Sequence, residues 1–120
     1  MSYVSNVVLT ARYINRAAKE AILAVRQPER PVGFRLVNEH AGGGKVWEAD
    51  TFMAAVNHLD TEALIAALEP LLVHAGGVVL VIHHEGDDEE DVWAWHYTSG
   101  RFVLVLPESE RAPVSKESTE

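Results

Sequence analysis

Six histidines, eighteen acids and no cysteine bound the chemistry this chain can carry. Without a thiol there is no disulfide, no thiolate nucleophile and no Cys-ligated zinc. His83 and His96 are the first pair to consider. They fall in two apolar segments, Val78–His84 and Val92–Tyr97. Paired as antiparallel strands, these segments put both imidazoles on one face, one ladder step apart. Neighbours that close can share a metal ion or pass a proton. No third ligand accompanies them, because the nearest acids occupy a loop expected to point into water. Two imidazoles partly buried among valines are the plainer account, since histidine is often half-buried without a catalytic task. His40, His58, His74 and His84 show no H-x-x-x-H spacing. No cofactor is expected.

The loop between those segments carries Glu85, Asp87, Asp88, Glu89, Glu90 and Asp91 with no base among them. Hard cations take several carboxylates, yet the run lacks the alternating order and distal glutamate of a calcium loop. Consecutive acids cannot all converge on one ion. A solvated turn explains the run. So does a docking surface in which Asp87, Asp88, Glu89, Glu90 and Asp91 meet a protein partner with a basic surface, because such charge speeds encounter.

Three weaker patterns fail on their own terms. Gly42-Gly43-Gly44-Lys45 resembles a phosphate cradle only in part, with Val46 where a hydroxyl belongs. Glu48 and Asp50 share a parity on a strand, as paired carboxylates would, but no nucleophile accompanies them. Ser5 and Ser99 lie in no nucleophile-elbow context. Arg12, Arg16, Lys19 and Arg26 form a basic ridge if Ile14–Arg26 is a helix. Four charges without an interleaved aromatic, in a protein of pI near 5.2, make nucleic acid an unexpected partner.

Net charge is −8. Residues 1–45 hold seven bases and three acids, and residues 46–120 hold three bases and fifteen acids, so the chain is electrically polar. Its first six residues lack the basic patch and apolar core of a signal peptide, and Val78–Ile82 is too short to span a bilayer. The cytoplasm is the expected compartment.

The elements that must position these residues follow from period and punctuation. Tyr3–Ala11 is Val-rich and reads as a strand. Ile14–Arg26 reads as a helix, with Ile14, Ala18, Ala21, Ile22 and Val25 on one face. Gln27-Pro28-Glu29-Arg30-Pro31 ends it. Val32–Asn38 alternates as a strand. In Val46–Val56, Ala54 and Ala55 favour a helix, but the Gly-rich link before it and a fresh cap at Asp60 make a strand the preferred reading. Thr61–His74 is helical, bent or shortened at Pro70. Three strands follow, Val78–His84, Val92–Tyr97 and Arg101–Leu106.

The order β-α-β-β-α-β-β-β predicts an α+β two-layer sandwich, a ferredoxin-like β-α-β-β-α-β core extended by a C-terminal antiparallel β-meander. Residues 1–106 form the single domain, and residues 107–120 a disordered acidic tail. One face of the meander collects Leu80, Ile82, His84, Trp93, Trp95, Tyr97, Phe102, Leu104 and Leu106. The other collects Val79, Val81, His83, Ala94, His96, Val103 and Val105. Neither is polar, and two helices on one side leave the second face uncovered. Val79, Val81, Val103 and Val105 are therefore the expected self-association surface of a homodimer.

No motif specifies a reaction, and an enzyme is not expected. The expected function is that of a small acidic protein-binding protein, of inhibitor, immunity or regulatory type. One alternative is a ligand binder or small enzyme with a pocket near His83, His96 and the Gly-rich loop. The other is a self-associating structural subunit.

Overall fold

A computed structural model describes residues 4–38, 49–84 and 92–106. The Gly-rich loop, Glu48, the acidic run 85–91 and the tail 107–120 lie outside the described residues. The first strand, β1 (Val4–Arg12), alternates as its valines predict, with Ser5, Val7, Leu9 and Ala11 all turned to one buried face. It ends at Tyr13, whose φ of 63° breaks the extended run.

Helix α1 is Arg16–Leu23, shorter than the periodicity predicts at both ends. Asn15 caps it, its side-chain oxygen accepting from the Ala18 N–H at 2.8 Å. After Leu23 the chain turns into a two-stranded ribbon, β2 (Arg26–Gln27) and β3 (Arg30–Pro31), folded about Pro28 and Glu29. Arg12 thus belongs to β1 and Arg26 to β2. Only Arg16 and Lys19 of the predicted ridge are helical.

Strand β4 is reduced to Arg35–Leu36. Gly33, at φ 87°, turns the chain so that Val32 and Phe34 enter the core instead of a ladder. The preferred reading of the next segment holds. It is a strand, β5 (Asp50–Asn57), with Phe52 and Val56 facing inward. Helix α2 (Thr61–Leu68) starts at Asp60, whose carboxylate accepts from the Ala63 N–H at 3.0 Å. Pro70 cannot donate to the carbonyl four residues back, and the chain tightens into a 3-10 turn, Glu69–Leu72. The last strands are β6 (Gly76–His84), β7 (Val92–Thr98) and β8 (Arg101–Leu106). Ser99 and Gly100, both at positive φ, make the two-residue turn between β7 and β8.

The long sheet runs β4-β5-β1-β6-β7-β8, and every pairing in it is antiparallel. The chain is therefore α+β, a six-stranded antiparallel sheet with two helices. Ile22, Leu64, Leu68 and Leu72, all fully buried, pack in one cluster with Val7, Leu9, Phe52, Leu80, Ile82 and Trp95. Both helices thus cover the same face. Among the described residues, no helix is long and apolar enough to cross a membrane.

The faces expected for β6 and β7 match the register, in which Leu80 pairs with Trp95 and Val81 with Ala94. Leu106 is the exception. A bulge pairs Leu104 with Trp95 but Leu106 with Ala94, which moves Leu106 off the helix-covered face and leaves Val105 in the irregularity.

Candidate functional site

One face of the sheet lies away from both described helices, and on it the Arg12 side chain lies against Gly77. Its rows follow from the pairing. Met53 on β5, Val8 on β1, Val81 on β6 and Ala94 on β7 lie side by side across the four inner strands. The adjoining row is Thr51, Thr10, Val79 and His96, with Val103 beyond it on β8. Met53 is 45% exposed and Val103 51% exposed, although both are apolar. An antiparallel sheet with one face in water usually alternates apolar inside with polar outside. Here the central row is apolar on both sides. Val79, Val81 and Val103, three of the four valines singled out from the sequence, stand on this face.

Among the described residues, the formal charges on this face have one sign. Arg35 on β4, Arg12 at the end of β1 and Arg101 at the start of β8 flank it, and each is exposed. The Arg12 guanidinium lies 5.3 Å from the centre of the Tyr13 ring. Among the described acids, Glu20, Glu62 and Glu69 lie in helical segments, Asp60 caps α2, Glu29 lies in the β2–β3 turn, and Asp50 shares the parity of the inward-facing Phe52. Lys19 reaches Asp50 at 3.7 Å, and Asp50 also accepts from the Asn38 side chain at 2.7 Å. The exposed Arg16–Glu20 pair, at 3.9 Å, is a solvated helix contact.

The two histidines share this face but do not meet. His83 pairs with Val92 and His96 with Val79, four residues along β6 from His83. At about 3.3 Å per residue they stand roughly 13 Å apart along the ladder, not one step. One ion cannot bridge them. Among the described residues no three His, Asp or Glu side chains gather as a metal site.

One contact was hidden from the sequence. Ser5, 4% exposed, holds its hydroxyl 2.9 Å from Nδ1 of His84. The ring of His84 meets Trp93 edge-on, and Trp93 stacks on Trp95. A serine beside an imidazole can be a nucleophile with its base. Here Ser5 closes the end of the β1–β6 ladder, paired with Val56 and His84, and at 4% exposure its hydroxyl is shut off from a substrate. The pair satisfies a buried hydroxyl. Only the pairing of β1 with β6 brings together residues 79 apart in the chain, so no local signal marks it.

Two open grooves lie away from this face. One, of about 370 Å³, is lined by Gln27, Pro28, Glu29, Arg30, His58 and Asp60. The other, of about 230 Å³, lies between the start of α1 and the chain around Pro70 and His74. Neither touches His83 or His96; the first is lined mainly by polar and charged side chains, the second mainly by apolar ones. The chain matches no protein-family model, no curated protein and no solved structure.

Proposed function

We propose that this chain is a protein-binding domain whose working surface is the open face of its sheet. The observation that carries this reading is the apolar row Met53, Val8, Val81 and Ala94 on the face away from both helices, in which Met53 is 45% exposed, Val8 and Val81 are half-buried and Ala94 is buried. Burying such a row against another protein removes apolar surface from water, while leaving it bare sustains a loss the fold does not require. The acidic run Asp87, Asp88, Glu89, Glu90 and Asp91 joins His84 to Val92, at the end of two inner strands. It supplies long-range steering toward a partner with a basic surface, as an inhibitor or regulator would use it. The strand order β6-β1-β5-β4, with α1 and α2 as the two crossovers, supports a ferredoxin-like core to which β7 and β8 are added.

The test compares wild-type protein with Val81→Lys as immobilised bait for extract of the native source. Wild type should retain a protein at stoichiometric yield, and the variant should lose it. Equal retention by both baits would overturn the reading. So would a metal or metabolite bound one-to-one to purified wild type and displaced by no protein.

A further inference from the structure

We infer that the face away from the helices receives an acidic segment of a partner protein, an amphipathic helix whose apolar stripe lies on the sheet and whose carboxylates meet Arg35 and Arg101. This rests on the reading of the face as a binding surface and names the chemistry of its occupant.

Strand pairing draws one row across all six strands: Arg35 on β4, Met53 on β5, Val8 on β1, Val81 on β6, Ala94 on β7 and Leu106 on β8. Met53 and Leu106, 45% and 40% exposed, stand toward its two ends. The adjoining row adds Val79 and Val103. With strands about 4.8 Å apart and same-face rows about 6.7 Å apart, this strip is roughly 24 Å long and about as wide as one helix, some 10 Å. The opposite face of the same sheet already takes α1 and α2, and a helix covers a sheet face without any backbone pairing.

Charge selects the partner. Arg35 stands at the β4 end of the strip, and Arg101, two residues before Val103, stands at its β8 side. Both are exposed, and the ion pairs among the described residues, Arg16–Glu20 and Lys19–Asp50, involve neither. Arg12 adds a third positive charge to the face, its side chain lying against Gly77 and Tyr13. A chain of net charge −8 thus presents a face whose described charges are all positive, the reverse of its overall sign. His84 and Val92, between which the acidic run lies in sequence, mark the opposite end of the strands from Arg12 and Arg101. One partner satisfies both ends, with its acidic segment over the strip and its basic surface beyond the His84–Val92 end. Nucleic acid would bring phosphates to the same arginines, but the aromatic rings that bases would stack on, Trp93, Trp95, Tyr97 and Phe102, pack against the core on the helix side.

The test is amide NMR on the purified full chain. It is titrated to about 1 mM with a synthetic helical peptide, leucines on one face and glutamates on the other, and with the lysine counterpart of that peptide. The acidic peptide should shift the amides of Met53, Val81, Arg101 and Val103. It should bind roughly tenfold or more tightly than the lysine peptide, against the sign of the net charge. Its affinity should fall between about 0.01 and 0.15 M salt, as the Debye length shrinks from about 30 Å to about 8 Å. Arg35→Glu combined with Arg101→Glu, at two exposed sites, should weaken it roughly fivefold or more with unchanged circular dichroism. Met53→Thr should also weaken it, since apolar contact is lost and no charge is added. A lysine peptide that shifts these amides as strongly, or an acidic peptide that shifts none of them at the highest concentration, would overturn the inference. So would tighter binding at the same amides by phosphatidylserine vesicles or by oligouridylate. In the bait experiment, a partner lost from Val81→Lys but kept by the double arginine variant would overturn the acidic occupant alone and leave the face as a binding surface.

Discussion

The carboxylate of Glu69 accepts a hydrogen bond from the backbone N–H of Phe102 at 2.9 Å, fastening the 3-10 turn to the outermost strand. Phe102 pairs with Tyr97 two positions from the β7–β8 turn, and its N–H points away from β7 toward the free edge of the sheet. An unpaired edge is a template for unwanted strand addition, and covering its donors removes that template. Tyr97 completes the clasp, its hydroxyl donating to the Glu69 carbonyl at 2.7 Å.

Glu69→Ala should cost about 1.5–2 kcal/mol, the lower part of the range for a hydrogen bond to a charged group, because the site is only partly buried. Amide exchange at Phe102 should speed up, and Glu69→Gln should retain most of the protection. Hydrogen exchange read residue by residue decides this. Unchanged protection at Phe102 in the alanine variant would show that the clasp is incidental.

Tyr97 carries a pH signature. Burial first, and the neighbouring Glu69 charge second, raise its pKa above the ordinary 10.0. The folded state therefore holds the phenolic proton more tightly than the unfolded chain. That contribution to stability is fully present below about pH 10 and is lost as pH rises through the folded pKa. Tyr97→Phe should cost about 1 kcal/mol near neutrality through the lost hydrogen bond. Between pH 9 and 11 its melting temperature should fall less steeply than that of wild type, as thermal scans across that range would record.

Thr51 is the one described side chain with a buried polar atom lacking a partner, its hydroxyl oxygen. Valine has nearly the same shape without that oxygen. Thr51→Val should be neutral or stabilising by up to about 1 kcal/mol, since an unsatisfied hydroxyl contributes only its desolvation cost. Denaturant melts with matched slopes measure this. A clear loss of stability would reveal a partner for the hydroxyl.

Replacing Asp87, Asp88, Glu89 and Glu90 by Asn or Gln should leave folding stability level or slightly higher, as like-charge repulsion is relieved. Association with a basic partner should slow through the on-rate, and its salt dependence should flatten. Stopped-flow binding at two ionic strengths is the measurement. An on-rate indifferent to both changes would leave the run as a solvated turn.

Local period and punctuation determined much of this protein by themselves. The alternation of β1, the cap at Asp60, the break at Pro70 and the apolar character of both faces of β6 and β7 are each written within a few residues. Face assignment survived because alternation fixes it, and a slip by an even number of residues does not change it. The register itself was beyond the sequence, since a seven-residue connection between β6 and β7 does not dictate which residues oppose. That is why His83 and His96 proved distant. The bulge that moves Leu106 and the shortening of β4 at Gly33 depend on packing between strands and core. The Ser5–His84 and Glu69–Phe102 contacts join residues 79 and 33 apart in the chain. Only closure of the sheet, with β1 placed between β5 and β6, brings such partners within hydrogen-bond reach, so tertiary structure alone decided them.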